Sequence, residues 1–118
     1  MTDDDRTALA LLGLAARAGG IAPGTERVRD AVRGGRARVA FLATDASPNS
    51  RDKIVPLLVK HAVPTIERFD RSGLGAAIGK APVSAVAVLE KGIAGRLRTL
   101  FGDAVPGDSP RRRHGLNG

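Results

Sequence analysis

The sequence predicts an α/β fold, a three-layer α/β/α sandwich built on a small mixed β-sheet. Segments with helical spacing of apolar residues alternate along the chain with short apolar runs of strand length, an order that puts helices on both faces of one sheet. The run Val39 to Ala43 is apolar at every position, as expected of a strand covered on both sides. The chain's 118 residues suit one domain with a single core that needs no metal or disulfide staple.

The first helix is predicted from about Asp5 to Ala18, with acidic residues at its positive end and Leu9, Leu12 and Ala16 on one face. Gly19-Gly20 ends it, and Ile21-Ala22 form a short extended piece before the Pro23-Gly24 turn. A second helix follows to Arg33 and stops at Gly34-Gly35. Its Val28, Ala31 and Val32 face a core, while Glu26, Arg27, Arg29, Asp30 and Arg33 point outward. The strand Val39 to Ala43 then delivers Asp45 at its end.

Ser47-Pro48 is a helix start, a capping hydroxyl followed by proline at the first helical position. Proline inside a helix costs about 3 kcal/mol, so Pro56 predicts two pieces, Pro48 to Lys53 and Val55 to His61. A strand is predicted over Val63 to Glu67, then a helix capped by Asp70 and ending near Gly79, then a strand over Val83 to Leu89. The final helix, Lys91 to Phe101, is expected to bury Ile93, Leu97, Leu100 and Phe101. Residues 1–102 are thus one domain. Residues 103–118, rich in Gly and Pro and carrying Arg111-Arg112-Arg113, are expected to be a disordered basic tail.

The formal charge is +7, and residues 6 to 102 carry 16 basic against 7 acidic side chains. Fifteen of the 19 basic residues are Arg, whose planar fork suits phosphates and guanine edges. That balance favours a polyanionic partner, most simply nucleic acid. No cysteine is present, so disulfides and thiolate metal sites are excluded. No long apolar run suggests a membrane span, and MTDDDRT is too acidic for a leader, which sets the expectation of a cytoplasmic protein.

Nothing in the sequence points to catalysis, a metal or a cofactor. His61 falls at a helix end and His114 in the tail, neither with a second ligand at metal spacing, and no G-x-S-x-G occurs. Gly73, Gly75 and Gly79 miss the dinucleotide spacing, because Ile78 stands where the third glycine belongs, and Gly79-Lys80 precedes Ala81 instead of Ser or Thr. These glycines read as close helix packing and a helix stop. Phe41, Phe69 and Phe101 are the only aromatics, each within an apolar pattern, so base-stacking platforms are not expected. RNA recognition would then rest on a helix N-terminus, Arg forks and backbone amides. Gly24, Thr25, Glu26, Arg27 and Asp30 supply those groups at the start of the second helix. The alternative is a self-compensating charged face, since the same acids and bases stand at pairing intervals.

Three stretches, LLGLAARAGGIAPGTERVRDAVRGGRARVAFLATDAS, LGAAIGK and AVAVLEKGIAGRL, together resemble the bacterial YlxQ-like branch of the ribosomal protein L-seven-Ae/L-thirty-e kink-turn RNA-binding family. The resemblance covers roughly residues 9 to 100. It implies a non-enzymatic protein of the ribosomal kink-turn-binding fold whose partner is structured RNA, a kink-turn or ribosomal RNA, and it links the protein to translation. By position, one RNA surface is Gly24, Thr25, Glu26, Arg27 and Asp30, flanked by Arg29 and Arg33. A second is Lys80, Ala81, Pro82 and Val83, with Asp45 close by. The archaeal pattern carries Asn, Glu and Lys where this chain has Glu26, Arg27 and Asp30, so Asp30 puts a negative charge where a cation is usual. The free protein is expected to be a monomer. The competing expectation is a protein-interaction scaffold of the same fold with only nonspecific RNA affinity.

Overall fold

The computed structural model describes residues 1–106. Its elements run α1 (Asp3–Arg17), β1 (Ile21–Pro23), α2 (Thr25–Arg33), β2 (Val39–Leu42), α3 (Pro48–Lys60), β3 (Thr65–Ile66), α4 (Arg71–Ala77), β4 (Ala85–Val88) and α5 (Lys91–Phe101). The strands form one sheet in the order β1-β4-β2-β3. Strand β4 runs antiparallel to β1 and β2, whereas β2 and β3 are parallel, so the sheet is mixed as expected.

Side-chain alternation along the two central strands divides the core into two layers. Val39, Phe41, Val86 and Val88 pack with Leu11 and Leu12 of α1, Leu74 of α4 and Leu97 of α5. On the opposite face Ala40, Leu42, Ala85 and Ala87 meet Val28 and Val32 of α2 and Ile54 and Leu58 of α3. Every residue of β2 and β4 is buried, which accounts for the unbroken apolar runs in the sequence. The aromatic residues follow their apolar patterns: the rings of Phe41 and Phe69 lie 6.0 Å apart, and Phe101 is half-buried under the Arg68 guanidinium, 4.7 Å from its ring centre. Arg68 also donates to Asp5 at 2.8 Å, tying the start of α1 to the loop after β3.

Most helix ends follow the local chemistry. Thr2 and Asp5 form a reciprocal capping box on α1, the Ser47 hydroxyl accepts from the Ser50 amide, and the Asp70 carboxylate accepts from Gly73. His61 is the C-cap of α3. Gly79, at φ 71°, follows the end of α4 as the expected helix stop.

The structure corrects three sequence-based expectations. First, α3 is one helix from Pro48 to Lys60 and is not divided at Pro56. Pro56 and Asp52 are both exposed, so the Asp52 carbonyl deprived of its partner faces water, while Ile54 and Leu58 are held in the core on either side. Second, β3 contracts from Val63–Glu67 to Thr65–Ile66. The Val63 amide closes the end of α3 on Leu58, Pro64 has no amide, and the Thr65 amide turns outward to the Ala104 carbonyl at 2.8 Å. Strand β4 is likewise shorter than Val83–Leu89. Third, Leu97 is buried in α5 with Ala94, while Ile93, Leu100 and Phe101 are only half-buried at the rim. Beyond α5, the exposed Asp103 pairs with Arg98 at 2.6 Å and the Ala104 carbonyl accepts from the Thr65 amide at the β3 edge. The basic tail, with Arg111-Arg112-Arg113 and His114, lies outside the described residues from 107 onward.

Candidate nucleic-acid interface

The sheet topology gathers most of the singled-out residues at one end. With β4 antiparallel to β1 and β2, and β3 parallel to β2, the C-terminal ends of β1, β2 and β3 lie beside the start of β4. The chain leaves that end into the N-termini of α2, α3 and α4, and enters β4 there through residues 79–84. Backbone bonds join these segments into a continuous rim. The Gly24 amide donates to Ala85 O at 2.8 Å, Ala43 to Ser84 O at 2.8 Å, Thr44 to Phe69 O at 2.9 Å and Val83 to Arg71 O at 3.2 Å. The turn before α2 and the loop before β4 are therefore neighbours across the sheet edge.

Gly24 is the N-cap of α2 at φ 94° and ψ 158°, a backbone region reserved almost entirely for glycine. It offers no capping side chain, and among the described residues no acceptor takes the amides of Thr25, Glu26 and Arg27. These donors sit at the positive end of the helix and can hydrogen-bond an anion. The Thr25 hydroxyl lies 3.5 Å from that of Ser50 and links the starts of α2 and α3. Arg27 is exposed and has no carboxylate within ion-pair distance among the described residues.

The other side chains of this face are partly committed to one another. The Glu26 carboxylate accepts from Arg29 at 3.3 Å and lies 3.9 Å from the Lys53 ammonium on α3. The Arg29 side chain is only 24% exposed, less outward than its spacing suggested, and its buried Nε has no acceptor among the described residues. Asp30 and Arg33 are loosely paired at 3.9 Å. Arg33 sits eight residues beyond Thr25, about 12 Å along the helix axis, so the structure does not bring it to the rim.

In the second group, Lys80, Ala81 and Pro82 are exposed and Val83 is half-buried against the core. The loop is held close to α4 by Gly75, where a Cβ would stand 2.4 Å from the Ala81 carbonyl oxygen and 2.7 Å from its carbon. Asp45 braces this region: its carboxylate accepts from the Arg71 amide at 2.8 Å and lies 3.5 Å from the Arg71 Nε. The Arg71 amide, then the Arg71 side chain and charge, hold the Asp45 pKa below its ordinary value.

Sequence reading missed Ser50, Arg51, Lys53 and Arg71, which the starts of α3 and α4 add to the same rim; Arg51 pairs with Glu67 at 3.5 Å. The Ser47-Pro48 and Asp70 caps were the signal available for them. Each marks a helix starting directly after a strand, which in a sheet of this topology means the same end. No cluster of metal-ligating residues occurs among the described residues, and no helix there is long and apolar enough to cross a membrane.

Residues 6–97 match the ribosomal protein L7Ae/L30e/S12e/Gadd45 family. The chain is 37% identical over 91 residues to the RNA-binding protein YlxQ of Bacillus subtilis, covering 77% of this chain and 91% of that protein. It is 32% identical over 94 residues to the RNA-binding protein YlxQ of Enterococcus faecium, covering 80% and 90%. Among solved structures, a protein of unknown function from Bacillus halodurans C superposes with a TM-score of 0.73 at 33% identity, over 79% of this chain and 94% of that one. A 15.5 kD RNA-binding protein of Giardia lamblia shares the fold, with a TM-score of 0.69 at 20% identity over 86% and 92% of the two chains. The chain belongs to the ribosomal protein L7Ae/L30e/S12e/Gadd45 family, in its YlxQ-like branch.

Proposed function

We propose that this chain is a non-enzymatic RNA-binding protein that recognises a sharply bent RNA of the kink-turn type, in association with the ribosome or the translation apparatus. One observation carries the reading: unpaired first-turn amides of α2, behind a glycine N-cap, adjoin the loop before β4 on one rim. Such a rim suits a backbone bent toward it, with amides and Arg27 on one segment and Lys80 to Val83 against another. Gly24, Thr25, Glu26, Arg27 and Asp30 are the proposed primary contacts, with Arg29 as a neighbour that positions Glu26. Lys80, Ala81, Pro82 and Val83 are the proposed secondary contacts, braced by Asp45. The two relatives named RNA-binding protein YlxQ support RNA as the ligand class. The protein acts on the RNA's shape by preferring the bent state, since a ligand shifts an equilibrium only through its different affinities for the two states.

A second reading has support in the ion pairs. Glu26 is engaged by Arg29 and Lys53, and Asp30 by Arg33, a self-compensated face consistent with a protein-interaction scaffold having only nonspecific RNA affinity. Titration of a labelled kink-turn RNA and of a straight duplex at two salt concentrations separates the two. The kink-turn reading expects tighter kink-turn binding that outlasts the salt increase. Equal affinities that collapse together with salt favour the scaffold.

A further inference from the structure

The end of the sheet opposite the rim carries a second basic surface. There the chain passes through Arg17 to Gly20, Arg36 to Arg38, Lys60 to Pro64 and Leu89 to Lys91. Backbone bonds hold these segments side by side: the Leu89 amide donates to Gly20 O at 2.8 Å, Arg38 to Val88 O at 2.9 Å and Ala40 to Pro64 O at 2.9 Å. Arg17, Arg36, Arg38, Lys60 and Lys91 are all exposed, and none has a carboxylate within ion-pair distance among the described residues.

The charge pairing of the two ends differs. At the rim, Glu26, Asp45, Glu67 and Asp5 each engage a cation. Towards the opposite end, Asp30, midway along α2, is drawn to Arg33, and the two oxygens of Glu90 accept from Gly92 at 2.9 Å and Ile93 at 2.7 Å to cap α5. Helix dipoles account for some of the cations, since Arg17 and Lys60 stand in the last turns of α1 and α3. They do not account for Arg38, four residues beyond the Gly34 C-cap, or for Lys91, which occupies the first turn of α5, where the dipole disfavours a cation.

We infer that this lip is a second RNA-binding surface, one that grips the phosphate backbone of a plain duplex without reading sequence and lets the protein bridge two RNA segments. Arginine forks favour phosphodiester oxygens, and the lip, four neighbouring strand ends about 4.8 Å apart, spans roughly 14 Å of backbone. The inference goes beyond the proposed kink-turn site and can fail separately from it.

The test measures binding of the full chain to a straight RNA duplex and to a kink-turn RNA across a salt series, for the parent and for Arg36→Ala/Arg38→Ala/Lys91→Ala. The triple variant is expected to flatten the duplex salt slope by about 2 to 3, while the preference for the kink-turn over the duplex persists. An unchanged duplex slope in a variant with parental melting behaviour overturns the second surface and leaves the kink-turn reading intact. Absence of kink-turn preference in the parent, with the slope change still present, overturns the kink-turn reading alone. Should the triple variant melt early, Arg36→Glu alone is measured: its duplex affinity must drop several-fold, and parental affinity overturns the inference. Capture of the parent by phosphatidylserine vesicles without measurable duplex binding overturns it in favour of a lipid surface.

Discussion

Gly24 combines two demands at a single position. Its backbone at φ 94° and ψ 158° turns the chain from β1 into α2, and its lack of a side chain leaves the first amides of the helix open. A Cβ at Gly24 would meet nothing within 4 Å, so the cost of Gly24→Ala is conformational and not steric. We expect Gly24→Ala to destabilise the fold by about 1–3 kcal/mol, read as a lower urea midpoint with an unchanged m-value. Asp30 tests the same face through charge. It is exposed and its contact with Arg33 is long, so Asp30→Lys should leave the fold intact and tighten kink-turn binding several-fold at low salt, with the gain shrinking as salt rises. Glu90 titrates against helix α5. The amides of Ile93 and Gly92 hold its pKa below the ordinary value of 4.5, so its capping contribution is fully present above that value and is lost as pH falls through the folded-state pKa. Thermal melts of the parent and of Glu90→Gln should therefore differ at neutral pH and converge in acid.

At the scale of elements, α3 shows where sequence reasoning and packing part. Pro56 carries a local penalty that is visible in the sequence. The counterweight, Ile54 and Leu58 locked against Ala40, Leu42 and Val28, depends on which sheet face α3 covers, and no local pattern states that. Because the helix runs unbroken through residue 56, Pro56→Ala restores a donor to the Asp52 carbonyl and should raise unfolding stability by about 1–3 kcal/mol in urea titration. The alternation of helices and strands was legible, and so were the Ser47 and Asp70 caps and the Gly-Gly stops, which act locally; α2 keeps Val28, Ala31 and Val32 inward as its spacing indicates. The length of β3 was not, because the Val63 amide is taken up closing α3 on Leu58 and only Thr65 and Ile66 pair with β2, a register that no local pattern states. The same limit applies to the candidate site. Gly24 to Asp30 stood out as a cluster of donors and acceptors, but the engagement of Glu26 by Lys53 and the tucking of Arg29 arise only when α2 meets α3.

At the scale of the whole molecule, strand direction organises function. One mixed sheet sends three helix N-termini and the loop before β4 to the same end, and sends helix C-termini and the Arg36–Arg38 turn to the other. Open helix amides with Arg27 and Lys80 thus lie at one end of the sheet, and Arg17, Arg36, Arg38, Lys60 and Lys91 at the other. The arrangement needs no catalytic group. In the proposed function, affinity comes from phosphate contacts and selectivity from the shape of the rim. The most direct test of that rim is an amide-resolved NMR titration of the full chain with kink-turn RNA. The account predicts that the largest shifts fall on Gly24 to Arg27 and on Lys80, Ala81 and Val83. Shifts that bypass those amides while the RNA is bound would contradict it.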